Sequence, residues 1–223
     1  MIIDLRRELR RYGIKPDHVL HVGAHEGQED GIYRKMKATP VYVEANPEVF
    51  SRLRENLPDR ECHMVAISDH EGTAEFHVTS ADQSSSLLSL AKHSEIYPDI
   101  VETKTFQVQC TTIDKLLEGR AESFDVLSLD IQGAELLALK GASELLQTVS
   151  AIMTEVNREE MYHGCVQIEE LDNYLDQFGF TRVKVTFPYH ESWGDALYLK
   201  NAIASRSGIT KLMRRFFPVS RAA

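Results

Sequence analysis

Five short apolar runs punctuate the chain: Val19–Val22, Val41–Val43, His63–Ile67, Phe124–Leu129 and Ala151–Thr154. Each is too short for a buried helix and suits a strand covered on both faces. Between and after them lie segments with helical spacing or helix boundaries: Gln28–Lys37, Glu48–Asn56, Thr112–Leu117, Gly133–Leu139, Ser143–Thr148 and Ile168–Phe178. Strands alternating with helices imply a mostly parallel sheet with helices on both faces. The boundaries carry their own signals. Pro40 is expected to stop the first of these helices, Asn46 and Pro47 to cap and open the next, and Gly179 to end the last. The opening residues, MIIDLRRELRRYG, read as a short amphipathic helix ended by Gly13.

Two features depart from simple alternation. Thr73–Val78 and Lys104–Gln109 alternate like strands with one wet face, and a Ser-rich loop, Thr79–Ser89, lies between them. They predict a β insertion between the third and fourth parallel strands. Near the end, Arg182–Phe187 and Ala196–Leu199 are joined only by Pro188–Asp195, too short for a helical crossover. That pair should therefore be antiparallel. The expected fold is α/β and Rossmann-like, a seven-stranded, mostly parallel sheet with an antiparallel last strand. One domain over residues 1–200 is expected, followed by a basic tail, 201–223.

In an open parallel sheet, ligands sit beyond the carboxyl ends of the strands. Here those ends carry Gly23, Glu44, Ser68-Asp69, Asp130 and Glu155. Four of the five finish at or beside an acid, and a carboxylate at the mouth of a crevice must be solvated or paired. The same acids can also serve as caps on the helices that follow. The first turn is Gly23-Ala24-His25-Glu26-Gly27. It lacks the GxGxxG spacing of a dinucleotide site and the GK[ST] ending of a phosphate loop. Glu26 and Glu29 make it unwelcoming to a diphosphate. Glu44 follows Gly23 by 21 positions, where an acid pairs with the ribose hydroxyls of an adenosine-type ligand. NAD and S-adenosylmethionine share that geometry. The missing pyrophosphate features favour S-adenosylmethionine, whose sulfonium is a cation.

The stretch DIQGAELLALKGA, Asp130 to Ala142, sharpens the choice. With VGAHEG, VEANPE, AISDHEG, TTIDKLL and TEVN in the same order, the chain resembles the FkbM family of methyltransferases over roughly residues 17 to 200. The family pattern there is close to DxEGAE, and this chain departs from it at Gln132. The resemblance implies a class I methyltransferase fold that binds S-adenosylmethionine and methylates a hydroxyl, often on a sugar or polyketide. Carried over, Gly23, Ala24 and His25 would hold the methionyl part. Glu44 would bind the ribose, Ala45 and Asn46 would lie near the adenine, and Ser68 and Asp69 would flank its edge. Asp130 would sit near the transferred methyl.

An alcohol needs a base or close positioning to act as a nucleophile. Asp130 is the first candidate, Glu155 at the adjacent strand end the second, and His163 in the polar loop Asn157–Gln167 the third. These three contain the oxygen-rich donors of a Mg²⁺ site, but no HxxxH or paired Asp supports one, and no metal is expected. Trp193, the only tryptophan, can stack on a sugar face or pack as a turn residue. Thr79–Leu88 can line an acceptor site or simply connect.

The remaining observations bound location and partners. A formal net charge of -9 argues against nucleic acid as the main partner. The acceptor is expected to be a small molecule or glycan. Three widely spaced cysteines fit a reducing compartment rather than a disulfide framework. No run approaches the ~20 apolar residues of a membrane span, and the start lacks a signal peptide, so a cytoplasmic location is expected. In the tail, Ile209, Leu212, Met213 and Phe216 fall at near-helical spacing among basic residues. Such a segment can lie on a membrane or partner. Capping its own domain or fraying is the preferred reading. Two alternatives stay open: an NAD-linked oxidoreductase on the same sheet, and a non-catalytic adapter that keeps the fold.

Overall fold

The computed structural model describes residues 2–205. The near-helical stretch of the basic tail, 209–216, with its membrane, partner and self-capping readings, lies outside the described residues. In chain order the main elements are α1 (Leu5–Arg11), β1 (His18–Val22), α2 (Asp30–Met36), β2 (Thr39–Glu44), α3 (Pro47–Asn56), β3 (Glu61–Met64), β4 (Ala66–Ile67), β5 (Gly72–Thr79), α4 (Lys92–Ile96), β6 (Glu102–Thr111), α5 (Ile113–Leu116), β7 (Val126–Leu129), α6 (Glu135–Lys140), α7 (Leu145–Thr148), β8 (Ala151–Asn157), α8 (Ile168–Asp176), β9 (Phe180–His190), β10 (Trp193–Lys200) and α9 (Asn201–Ala204).

Seven strands form the main sheet in the order β3-β2-β1-β7-β8-β10-β9. The first five run parallel, and β10 is antiparallel to both β8 and β9. This is the expected α/β, Rossmann-like architecture. Side chains alternate across the sheet as the pleat requires. Leu20, Val41, Val43, Leu127 and Ile152 face α5 to α8, where Ile113, Leu139, Leu146 and Leu171 are buried with them. Val19, Tyr42, Val126 and Met153 face the other way, onto Leu9 of α1, Tyr33 of α2 and Leu53 of α3. Each strand thus needs apolar residues at nearly every position, which is why the runs read as continuous.

The insertion makes a second sheet, β4-β6-β5, with β5 and β6 antiparallel. Its position corrects one expectation. His63–Ile67 is not one strand. It splits at Val65: β3 pairs with β2 in the main sheet, and β4 pairs parallel with β6 in the second. One peptide segment therefore serves both sheets, and the strand end shifts away from Ser68 and Asp69. Three smaller differences have local causes. Helix α2 stops at Lys37, a left-handed C-cap with φ 64, while Pro40 already lies inside β2 opposite Val19. Helix α4 was not expected between the insertion strands. The β9–β10 hairpin is longer than its apolar core, so that only Glu191 and Ser192 connect the strands.

The first turn of the stretch set apart as a tail, 201–204, is helical, and Ala204 is buried against the α1 side of the sheet. The three cysteines are free. Among the described residues no helix is long and apolar enough to cross a membrane.

Candidate active site

The carboxyl ends of β1, β2, β7 and β8 open into one cavity of about 360 Å³. That is within the ~300–1,000 Å³ typical of small-molecule sites. Its first wall is the turn after β1. Gly23 and Ala24 both donate their backbone N–H to the Val43 carbonyl, at 2.9 and 3.0 Å. The chain then reverses through Gly23 (φ 79), His25 (φ 47) and Gly27 (φ 81). Left-handed backbone is ordinary for glycine and strained for histidine. His25 is held there by three contacts. Its N–H donates to Glu44 Oε2 at 2.9 Å. The Gln28 amide lies 2.8 Å from Nδ1, and Nε2 lies 3.0 Å from Asp82 Oδ1. An amide donating to Nδ1 leaves the ring proton on Nε2 to meet Asp82.

Asp82 belongs to the loop between β5 and β6. It also accepts from Arg52 of α3, whose guanidinium pairs with Glu26 at 2.5 Å. These bonds bring the loop across the cavity, so that Asp82, Gln83, Ser85, Ser86 and Leu87 line it. Ser86 Oγ donates to the Ile131 carbonyl at 3.1 Å and ties the loop's far end to the turn after β7. The Ser-rich stretch is therefore a wall, not a free connector.

Glu44 ends β2, buried, with Oε1 accepting from Asn46 N–H at 2.8 Å and Oε2 from His25 N–H. Each oxygen keeps a lone pair for a ligand hydroxyl. Burial pushes its pKa up, and the backbone donors partly offset that. Next to it, Ala45, Val65, Ala66, Ile67, Phe76 and Leu87 make an apolar end suited to a flat base.

The opposite chemistry lines the ends of β7, β8 and β10. Asp130, Glu155 and Asp195 all reach the cavity wall, with Gln132 among them. One amide nitrogen, Gln132 Nε2, donates to Asp130 Oδ1 at 2.8 Å and to Glu155 Oε2 at 2.9 Å. The Gln132 carbonyl accepts from Tyr162 Oη at 2.8 Å, so its orientation is fixed at both ends. Gln132 stands at φ 57, a left-handed residue beside Gly133 at φ 96. The departure from the family pattern thus fills a specific place. A glutamate there would set a third carboxylate against two others.

Burial pushes Glu155 well above the usual carboxylate range, and Asp130, Glu135 and Asp195 reinforce this. Asp195 accepts the backbone N–H of Ile2 and, at 3.2 Å, of Ile3. Glu135 lies behind the turn, buried, taking the N–H of Ile131 and Gly133 at 3.2 Å each. Burial is the main cause that raises its pKa from 4.5 to about 7. An acid harder to ionise when folded lowers stability as pH rises between its unfolded and folded values. Glu135→Gln is therefore expected to gain stability relative to the parent as pH rises from 4.5 through about 7. Paired thermal melts across that window check it, and a constant difference would contradict it.

The sequence-expected residues divide by place. Gly23, Ala24, His25, Glu44, Ala45, Asp130 and Glu155 line the one cavity. Asn46 does not; its side chain caps α3 by accepting from Glu48 N–H at 3.1 Å. Ser68 is buried outside the wall, and Asp69 faces solvent against His70 at 2.8 Å, because the third strand crosses to the second sheet. His163 is exposed in a separate surface dip with Lys92 and Glu159. Sequence reasoning missed Asp195, Ile2, Phe76 and the Val65–Ile67 wall. Only Asp195 left a trace, as an acid at the start of an apolar strand. Among the described residues no group of three or more His, Cys, Asp or Glu side chains is arranged to hold a metal.

Comparison with known proteins bears on this site. A methyltransferase FkbM domain matches residues 21–182. The 2-O-methyltransferase NoeI of Sinorhizobium fredii strain NGR234 is 30% identical, with 74% of this chain and 73% of that protein covered. Among solved structures, an S-adenosylmethionine-dependent methyltransferase from Clostridium acetobutylicum superposes with TM-score 0.49 at 8% identity, covering 88% of this chain and 89% of that one. A TehB-like methyltransferase from Corynebacterium glutamicum does so with TM-score 0.46 at 11% identity, covering 90% and 89%. The strand order itself, rather than these loose superpositions, carries the fold. The cofactor that goes with the matched domain is S-adenosylmethionine. The chain belongs to the FkbM family of methyltransferases.

Proposed function

We propose that this protein transfers the methyl group of S-adenosylmethionine to a hydroxyl of a sugar, glycan or polyketide-type acceptor. The observation that carries the reading is the Asp130–Gln132–Glu155 cluster, set in the same cavity wall as the Gly23 turn and Glu44. When bound, the cofactor supplies an electrophilic methyl on a sulfonium. The backbone of Gly23 to His25 would hold its amino-acid end, Glu44 its ribose hydroxyls, and the apolar end from Ala45 to Phe76 its base. The name of the 30%-identical relative, a 2-O-methyltransferase, supports oxygen as the accepting atom.

In this reading Asp130 positions the acceptor hydroxyl and takes its proton. The cofactor, held by Gly23 to His25 and Glu44, would supply the methyl and would keep the carbon–sulfur electron pair as a neutral thioether. The proton passes to Asp130 and then to solvent. Burial pushes Glu155 toward its protonated form, and in that form it can donate to the acceptor. Gln132 holds the two carboxyls in register.

Two measurements test these roles. Glu44→Ala is expected to weaken S-adenosylhomocysteine binding by ~1–3 kcal/mol, the scale of a lost charge-assisted hydrogen bond. Unchanged affinity by calorimetry would remove the ribose assignment. Asp130→Asn is expected to slow methyl transfer at least tenfold (about 1.4 kcal/mol or more) while leaving that affinity nearly intact. Equal losses would recast Asp130 as a cofactor ligand. A melting temperature raised by NADH but not by S-adenosylmethionine would overturn the whole reading in favour of a dehydrogenase.

A further inference from the structure

The acid end of the cavity lies beside the start of β10, where Trp193 stands with a second aromatic ring packed against it. Trp193 begins β10 and lines the cavity. Its indole is fixed from behind, because Nε1 donates to Tyr97 Oη at 3.0 Å. The Tyr189 ring, from the facing strand, lies 5.8 Å from it at 31°. Tyr189 is 70% exposed. Its ring packs against Trp193 and turns the rest of its surface to solvent. Held rings of this kind offer broad apolar faces at low entropic penalty.

The neighbouring wall is Asp195 and Glu155. An ionised carboxylate only accepts hydrogen bonds, and a protonated one donates a single bond while still accepting. Such a wall asks for a ligand whose groups both donate and accept, as hydroxyls do. An apolar acyl chain would meet none of the hydrogen-bonding capacity these acids keep beyond their bonds to Ile2, Ile3 and Gln132, which is unfavourable once water is displaced. A ligand with one apolar face and a rim of hydroxyls meets both surfaces together, and a pyranose ring has that form.

We propose that Trp193 and Tyr189 form the acceptor subsite, taking the C–H face of a pyranose whose rim hydroxyls hydrogen-bond with Asp195 and Glu155. The inference rests on the methyltransferase reading above and narrows its acceptor to a sugar ring.

Trp193 is the only tryptophan of the chain, so its emission reports on this subsite alone. Protein saturated with S-adenosylhomocysteine is titrated at millimolar levels with methyl β-glucopyranoside, methyl α-rhamnopyranoside and a chitin tetrasaccharide. Sorbitol serves as an open-chain polyol control. A saturable change with at least one ring sugar and none with sorbitol is expected. Tyr189→Ala, at an exposed position, should weaken that response about tenfold, the scale of one aromatic contact. It should leave S-adenosylhomocysteine affinity as in the parent. Silence from all three ring sugars with the cofactor product bound, or an unaltered response in Tyr189→Ala, would overturn the subsite alone. Failure of S-adenosylhomocysteine to bind at all would instead overturn the cofactor reading beneath it.

Discussion

Replacing Gly23 by alanine is expected to remove ~3 kcal/mol or more of stability and to abolish cofactor binding. Two effects add. A left-handed residue with a Cβ costs about 1–2 kcal/mol. The added carbon would also stand 1.9 Å from the Asp130 carbonyl oxygen and 2.6 Å from its carbon. Those atoms are backbone, and they cannot yield as a flexible side chain would. The Asp130 N–H donates to the Val22 carbonyl at 3.0 Å, and β1 and β7 are paired up to Val22 and Leu129. Relief must therefore come from parting the two central strands, and overpacking of that kind typically adds ~1–3 kcal/mol. Gly13 supplies the control. It has a similar φ, +73, and nothing within 4 Å of its would-be Cβ. Gly13→Ala should show the conformational penalty alone. Urea denaturation of both variants separates the two terms, and equal losses would show that the close approach at Gly23 is of no consequence.

Gln132→Glu should be the second large effect, and its sign depends on pH. The change replaces an NH₂ that donates to both Asp130 and Glu155 by an oxygen that cannot donate and that repels whichever of them is ionised. Breaking a buried charged network in this way typically costs ~3–5 kcal/mol. A proton taken up by the cluster restores one donor and removes one charge. The folded state should then bind a proton that the unfolded state has released, so stability falls as pH rises. The variant is expected to be near the parent at pH about 5 and well below it at pH about 8, following the ordinary carboxylate range. Denaturation midpoints at the two values decide the matter. The same loss at both would mean that Gln132 acts by shape and not by its two hydrogen bonds.

Much of this is legible in the sequence. The parallel order followed from apolar runs buried on both faces, and the hairpin direction from the short link between Arg182–Phe187 and Ala196–Leu199. Gly23, Glu44, Asp130 and Glu155 were visible because chain ends of parallel strands converge by topology. What the sequence hid was anything set by pairing between distant segments. Val65 looks like the middle of a strand, and only β6 draws Ala66 and Ile67 away from β3. That exchange moves Asp69 into solvent. Asp82 is one polar residue among several in its loop, and its role emerges only when His25 and Arg52 come within reach. His163 looked suggestive in its loop because composition carries no direction.

The bonds from Ile2 and Ile3 to Asp195 have a practical side. Ile2 is part of the cavity wall beside Asp195 and Trp193, and Ile3 donates to the same carboxylate. The two backbone donors fix where that carboxylate stands. Ile2→Pro, which has no N–H to give, would let it turn and so reshape the pocket without altering any strand of the sheet.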